Sequence, residues 1–363
     1  MIKFKSKTLI NMYGDIPHKY DISFLHFAIK IIDSSNEEYK LFENDLDNLY
    51  REVNDSQFKI YFYTIEDFLD IKNNTNIFSK YSKYIYVRIN NQEDLIRISK
   101  EVDNKIINAI IDYDKYNNYV SSNINIVLQV DKISSLPFKK LLELNNNYNI
   151  NNVCLGQAIC FSKEDSYELI QEYSSYKDIK VSSNDEENRN IALKLFLSND
   201  IYNINEYQRI EEVLYKLIDN NDNDYQKFYN MFKSIVIKAR YNWKGMKEEV
   251  NDNQNLVGVL LKNEGVCESF CKVLYQLCSL VNIECIIVCG GSSKEQGGHM
   301  WNQVCINGIW YNSDCAVDSN LYREKGKLYL CLVSDKNVLY KANSLLSHNC
   351  NDNYDFNNED DNL

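Results

Sequence analysis

The residues able to do chemistry lie in three short stretches of the last third of the chain. They are Gly265-Val266-Cys267-Glu268-Ser269-Phe270, then Gly298-His299-Met300-Trp301-Asn302, then Trp310-Tyr311-Asn312-Ser313-Asp314. A cysteine opens a helix, a histidine starts one strand and an aspartate ends the next. In type and order these are a nucleophile, its base and the group that orients the base. If the three meet in space, they make a thiol enzyme working by acyl transfer.

The elements that must position them are legible nearby. Ser269, Phe270, Val273, Leu274, Leu277 and Leu280 continue a helical pattern after Cys267, which places the thiol in the first turn. There the unpaired backbone N–H groups and the positive end of the macrodipole favour a thiolate. Gly265 lets the chain approach closely just before the helix. Cys271 and Cys278, further along the same helix, read as small buried apolar residues.

Downstream, Ile283–Cys289 is a β-branched run, residues 292–298 a polar loop, and His299–Ile306 and Ile309–Asp314 a pair of strands. Asn307-Gly308 between that pair is a strong two-residue hairpin signal. Counting outward from the turn, Ile306 faces Ile309, Gln303 faces Asn312 and Trp301 faces Asp314. His299, two places further, is on the face of Asp314 and within diagonal reach. Only the thiol must then be delivered by packing its helix on this sheet.

Residues 207–344 resemble the transglutaminase-like superfamily, whose core has a papain-like cysteine-enzyme fold. The resemblance rests on Gly265-Val266-Cys267 at a helix start, His299-Met300-Trp301-Asn302, and Trp310-Tyr311 running on to Asp314. A lead-in helix ending at Arg240-Tyr241-Asn242-Trp243 is also similar. It implies Cys267 as nucleophile, His299 as base and Asp314 as the orienting carboxylate. Trp243 and Asn242 become candidate oxyanion donors, and Trp301 a candidate cleft wall. Two departures bear on substrate preference: Cys315-Ala316-Val317 stands where the family often has Pro-Thr-Trp, and Cys271 where it often has alanine.

The first 204 residues alternate short apolar runs with helical patterns. Strands are predicted at 58–63, 84–89, 106–112, 124–130, 152–155 and 179–182, and helices at 93–104, 137–146 and 163–176. This is an α/β domain with a parallel sheet, open or barrel-like. Asp112 and Asp131 close strand-like runs, and His18 and His26 are isolated. Helices at 205–219 and 224–241 follow and open the second domain, an α+β unit with an antiparallel sheet over 205–345. Residues 346–363 form an acidic tail expected to be disordered.

Bulk properties narrow the function. The chain has 363 residues, 44% of them hydrophobic, and a formal charge of −12. The negative charge argues against nucleic acid or an anionic membrane as partner. No apolar run is long enough to span a bilayer, and no export signal is apparent at the N-terminus, so a cytoplasmic location is expected with free thiols at its 11 cysteines. No zinc, iron–sulfur or calcium-loop spacing occurs, so no cofactor is expected. The expected function is thiol-dependent hydrolysis or acyl transfer at an amide of a peptide or protein. A catalytically inactive peptide- or protein-binding module is the alternative.

Overall fold

A computed structural model describes residues 6, 9–11, 27–29, 34–52, 58–62, 64–102, 105–119, 121–155, 158–162, 191–195, 200–218, 223–244, 251–291, 298–338, 341–342 and 347–355. The predicted helix 163–176 and strand 179–182, most of the loop 292–298, His18 and His26 lie outside these. The chain divides into two compact units. One comprises Met1–Gln157 with Phe196–Gln208, the other Ala158–Leu195 with Arg209–Leu363.

The first unit is built on an eight-stranded sheet. In chain order its parts are β1 (Leu9–Asn11), β2 (Phe27–Ile29), α1 (Asn36–Glu52), β3 (Ile60–Phe62), α2 (Ile65–Asn74), α3 (Ile77–Tyr81), β4 (Ile85–Ile89), α4 (Gln92–Glu101), β5 (Ile107–Asp112), β6 (Ile124–Val130), α5 (Phe138–Tyr148) and β7 (Asn152–Leu155). Strands β2 to β7 are parallel and lie side by side in chain order, with β1 antiparallel at one edge. Right-handed crossovers that always step in one direction put every helix on the same face. The order never reverses, so the sheet is a singly wound half-barrel rather than a doubly wound open sheet.

Alternation along the strands follows from this. Val87, Ile89, Ala109, Ile111 and Leu128 are completely buried on one face, while Tyr61, Ile110, Val127 and Cys154 form a cluster on the other. Side-chain caps start the helices where the sequence supplies them. The Asp67 N–H donates to Thr64 at the start of α2, and the Asp94 N–H to Asn91 at the start of α4.

The remaining elements are β8 (Ala158–Ser162), β9 (Ile191–Leu195), β10 (Asp200–Asn203), α6 (Ile204–Leu217), α7 (Asp224–Lys238), β11 (Arg240–Tyr241), β12 (Glu264–Gly265), α8 (Cys267–Leu280), β13 (Cys285–Gly291), β14 (Gly298–Ile306), β15 (Ile309–Ser313), α9 (Cys315–Lys325) and β16 (Lys341–Ala342). Strand β10 pairs antiparallel with β7 in the first unit. The second unit's sheet runs β15-β14-β13-β8-β9, with β16 also on β13. It is antiparallel except where β8 lies parallel to β13.

The chain crosses between units more than once, instead of only at 204, because β8 and β9 leave the first unit to extend the sheet of β13. The tail expected to be disordered from 346 is ordered over 347–355. Its polar composition hides three anchors: the Tyr354 ring stacks on Tyr225 at 4.3 Å, His348 stacks on Trp310 at 3.7 Å, and Cys350 is buried. Gln303 and His348 also exchange hydrogen bonds. Among the described residues, no helix is long and apolar enough to cross a membrane.

Candidate active site

The hairpin of β14 and β15 has the register counted from its turn. Ile306 pairs with Ile309, Gln303 with Asn312 and Asn302 with Ser313. Asn307 and Gly308 have φ of 53° and 78°, the left-handed pair a two-residue turn demands. Continuing this register brings His299 and Asp314 together. The His299 Nε2 lies 2.6 Å from Asp314 Oδ2, and both side chains are buried.

Asp314 also has a local duty. Its Oδ1 accepts the Val317 N–H at 3.0 Å, so the residue is the N-cap of α9. One carboxylate thus starts a helix and holds a histidine, which fixes the imidazole by backbone geometry on one side. Asp318, a turn further on, accepts the N–H groups of Tyr329 and Leu330. Burial raises its pKa to about 6 despite those bonds, and the nearby Asp314 adds to the rise.

Cys267 arrives from the other side. Its helix has Val266 at the N-cap with no side-chain cap, so Cys267 stands in the first turn of α8. A Cβ on Gly265 would stand 2.9 Å from the Ser269 side chain, which is why this position must be glycine. Ser269 Oγ in turn donates to the Asn255 carbonyl at 2.6 Å. Helix α8 is clamped to β14 by Asn302, whose Nδ2 donates to the Cys271 carbonyl at 3.1 Å. Cys271, Ile287, Tyr275 and Met300 pack the same junction.

With Nε2 engaged by Asp314, the imidazole also lies close enough to Cys267 for the thiol to act on its charge. Burial alone lowers the His299 pKa. The Asp314 charge and hydrogen bond, joined by Cys267, more than reverse that and carry it to about 10. A protonated imidazole facing a thiol through neutral pH is the electrostatic setting of an ion-paired nucleophile.

The structure adds a residue that the sequence does not single out. Arg240 and Tyr241 pair in parallel with Glu264 and Gly265, two residues before the thiol. This sets Tyr241 beside Cys267, whose thiol and backbone both act on the phenol. Burial, then the Cys267 charge and hydrogen bond, push the phenol pKa well up, so Tyr241 stays a hydroxyl donor.

The residues expected at the oxyanion and cleft wall are placed as follows. Trp243 is 65% exposed and its ring lies tilted against Tyr241 at 4.6 Å between centroids. Asn242 spends its backbone N–H on the Gly265 carbonyl, and its side chain bonds Asn253. Trp301 is buried, donates its indole N–H to Asn312 and stacks 6.1 Å from His299, so it backs the imidazole instead of walling an open cleft. A separate cleft of 740 Å³ is lined by Tyr225, Tyr229, Lys233, Tyr329 and Tyr354 among others, and none of Cys267, His299, Asp314 or Tyr241 lines it. Among the described residues no group of three His, Cys, Asp or Glu side chains converges as a metal site.

Residues 211–315 match the family model of the transglutaminase-like superfamily, and the chain carries a transglutaminase-like domain there. The match spans Tyr241, Cys267, His299 and Asp314. Among solved structures, one described as a TGase is 12% identical, over 53% of this chain and 50% of that one, with a TM-score of 0.27. A Cytophaga hutchinsonii protein named as a candidate cysteine protease is 18% identical, over 38% of this chain and 42% of that one, with a TM-score of 0.28. The chain thus spans half or less of the length of both. No curated protein matches it.

Proposed function

With a transglutaminase-like domain as the starting point, we propose that the second unit is a thiol enzyme that breaks or exchanges an amide bond of a peptide or protein. Cys267 is the nucleophile, His299 the base and Asp314 the group that orients and charges His299. The single observation that carries this is the 2.6 Å contact between His299 Nε2 and Asp314 Oδ2, on an imidazole whose charge Cys267, at its helix start, also affects.

The thiolate Sγ attacks the amide carbonyl and a C–S bond forms. The negative charge on oxygen is held by the Cys267 backbone N–H and the Tyr241 hydroxyl. As the C–N bond breaks, His299 gives its proton to the departing amine. Water or a second amine then attacks the thioester, His299 takes the proton of the incoming group, the C–S bond breaks and the thiolate–imidazolium pair is regenerated. Hydrolysis and transfer share this intermediate, so both belong to the proposal.

The test is mass spectrometry of the whole protein mixed with a panel of peptide amides, with and without a primary amine. A thioester adds the acyl mass to Cys267 while ammonia or an amine is released. Cys267→Ala should abolish adduct and turnover and leave the circular dichroism spectrum unchanged. Turnover that survives this substitution would refute the assignment.

A further inference from the structure

The half-barrel carries a polar group that nothing above uses. Arg88 on β4 is level with Ile110 on β5, and Asp112, two places on, is level with Gln129 on β6. Side chains at level positions of a parallel sheet share a face, as do positions two apart. Arg88, Asp112 and Gln129 therefore share the face of Tyr61, Ile110, Val127 and Cys154, opposite the helices. Arg88 and Gln129 are the next-to-last residues of their strands and Asp112 is the last. The group forms a rim at the C-terminal ends of parallel strands, above an apolar floor.

This rim is incompletely satisfied. Arg88 and Gln129 are each 3% exposed. Arg88 Nη2 contacts Asp112 Oδ1 at 2.5 Å, but its Nε and Nη1 are buried with no hydrogen-bond partner among the described residues. Gln129 Oε1 is likewise buried without one, and its Nε2 makes only a long 3.4 Å bond to the Val130 carbonyl. Buried donors of a charged group are almost always paired, and leaving them unpaired is costly. Here two donors and one acceptor are left over together, in the place where parallel α/β folds take ligands. Lys115, 3.3 Å from Asp112 Oδ2, stands on the exposed side of the same carboxylate. Arg88 and Lys115 thus flank one carboxylate.

We propose that this rim binds a small oxyanion, carboxylate or phosphate, that also carries an O–H or N–H group. The anion's oxygens accept from Arg88 Nε and Nη1, and its donor satisfies Gln129 Oε1. The unpaired guanidinium donors suit an anion, and the apolar cluster beside them suits a short carbon skeleton. The site is independent of the thiol chemistry and stands or falls without it.

Two probes separate the sources of the anion: glycolate for a hydroxylated carboxylate, and inorganic phosphate, which has both acceptor oxygens and an O–H. Calorimetric titration of the full-length chain should give a dissociation constant of about 1 mM or tighter for at least one probe. Acetate, lacking the donor, should bind about tenfold more weakly than glycolate if the carboxylate arm is the one that binds. Gln129→Leu should weaken the bound probe at least about tenfold and raise the ligand-free melting temperature, because it removes an unpaired buried acceptor. A merely structural glutamine would not move both quantities in these directions. Arg88→Gln should abolish binding; if that variant does not fold, Gln129→Leu decides alone. Cys267→Ser should leave the affinity unchanged. No binding of either probe up to about 50 mM, affinity unmoved by Gln129→Leu, or affinity altered by Cys267→Ser would each overturn the proposal.

Discussion

Replacing Asp314 by Asn separates the two things its carboxylate does. Oδ1 caps α9 through the Val317 N–H, and Asn caps a helix as well as Asp does, so α9 keeps its start. What disappears is the charge beside His299. Burial pulls that imidazole's pKa down, and Asp314 together with Cys267 lifts it from 6.5 to about 10. A rise of that size corresponds to at most about 5 kcal/mol in favour of the protonated ring. The folded pKa lies above the unfolded one. The stabilisation is therefore complete below pH 6.5 and is lost as pH climbs to about 10. Asp314→Asn should remove most of that pH dependence, leave His299 neutral at pH 7, and cost about 3–5 kcal/mol at pH 6 as a broken buried pair. The amide also favours the wrong tautomer, so turnover should fall about 10³–10⁴-fold. The assay is urea unfolding of wild type and variant at pH 6, 8 and 10, beside an imidazole ¹⁵N titration. A variant with the wild-type midpoint at pH 6 and the wild-type slope to pH 10 would refute the reasoning.

Further outcomes are expected at neighbouring positions. Tyr241→Phe removes one of the two donors at the nucleophile and should lower kcat about 10²–10³-fold with little change in melting temperature, measured by steady-state kinetics and calorimetry. Gly265→Ala drives a methyl to 2.9 Å from Ser269 and should cost about 1–3 kcal/mol in urea unfolding. Ending the chain at residue 346 removes the Tyr354–Tyr225 and His348–Trp310 stacks and should destabilise the protein by about 1–3 kcal/mol, where a loose tail would cost nothing.

Local rules made part of this molecule legible in advance. The His299–Asp314 approach needs only the Asn307-Gly308 turn and the two-residue period of a strand. The close passage at Gly265 and the helix from Cys267 follow from residue types within a few positions. Tyr241 was not legible, because its place beside Cys267 depends on a two-residue pairing with Glu264–Gly265, more than 20 residues away, and it is one of 28 tyrosines. Helix α9 was missed because Cys315, Ala316, Asp318 and Ser319 are all buried, so it shows no polar–apolar periodicity. The parallel sheet was readable as apolar runs, but its one-way strand order is a long-range property that no run encodes. Arg88 and Gln129 look like ordinary polar positions in alternating strands until the register places them on one rim.

The central claim, that Cys267 is an activated nucleophile, is tested most directly by limiting iodoacetamide at about pH 6, with the labelled cysteines mapped by mass spectrometry. Cys285 and Cys305 share its intermediate exposure and serve as internal controls, while Cys271, Cys278, Cys315, Cys331 and Cys350 are buried. An ordinary thiol is mostly protonated and slow at this pH. Preferential labelling of Cys267, abolished by His299→Ala, is the predicted result. Labelling of Cys267 no faster than Cys285 and Cys305, or unaffected by His299→Ala, would contradict it.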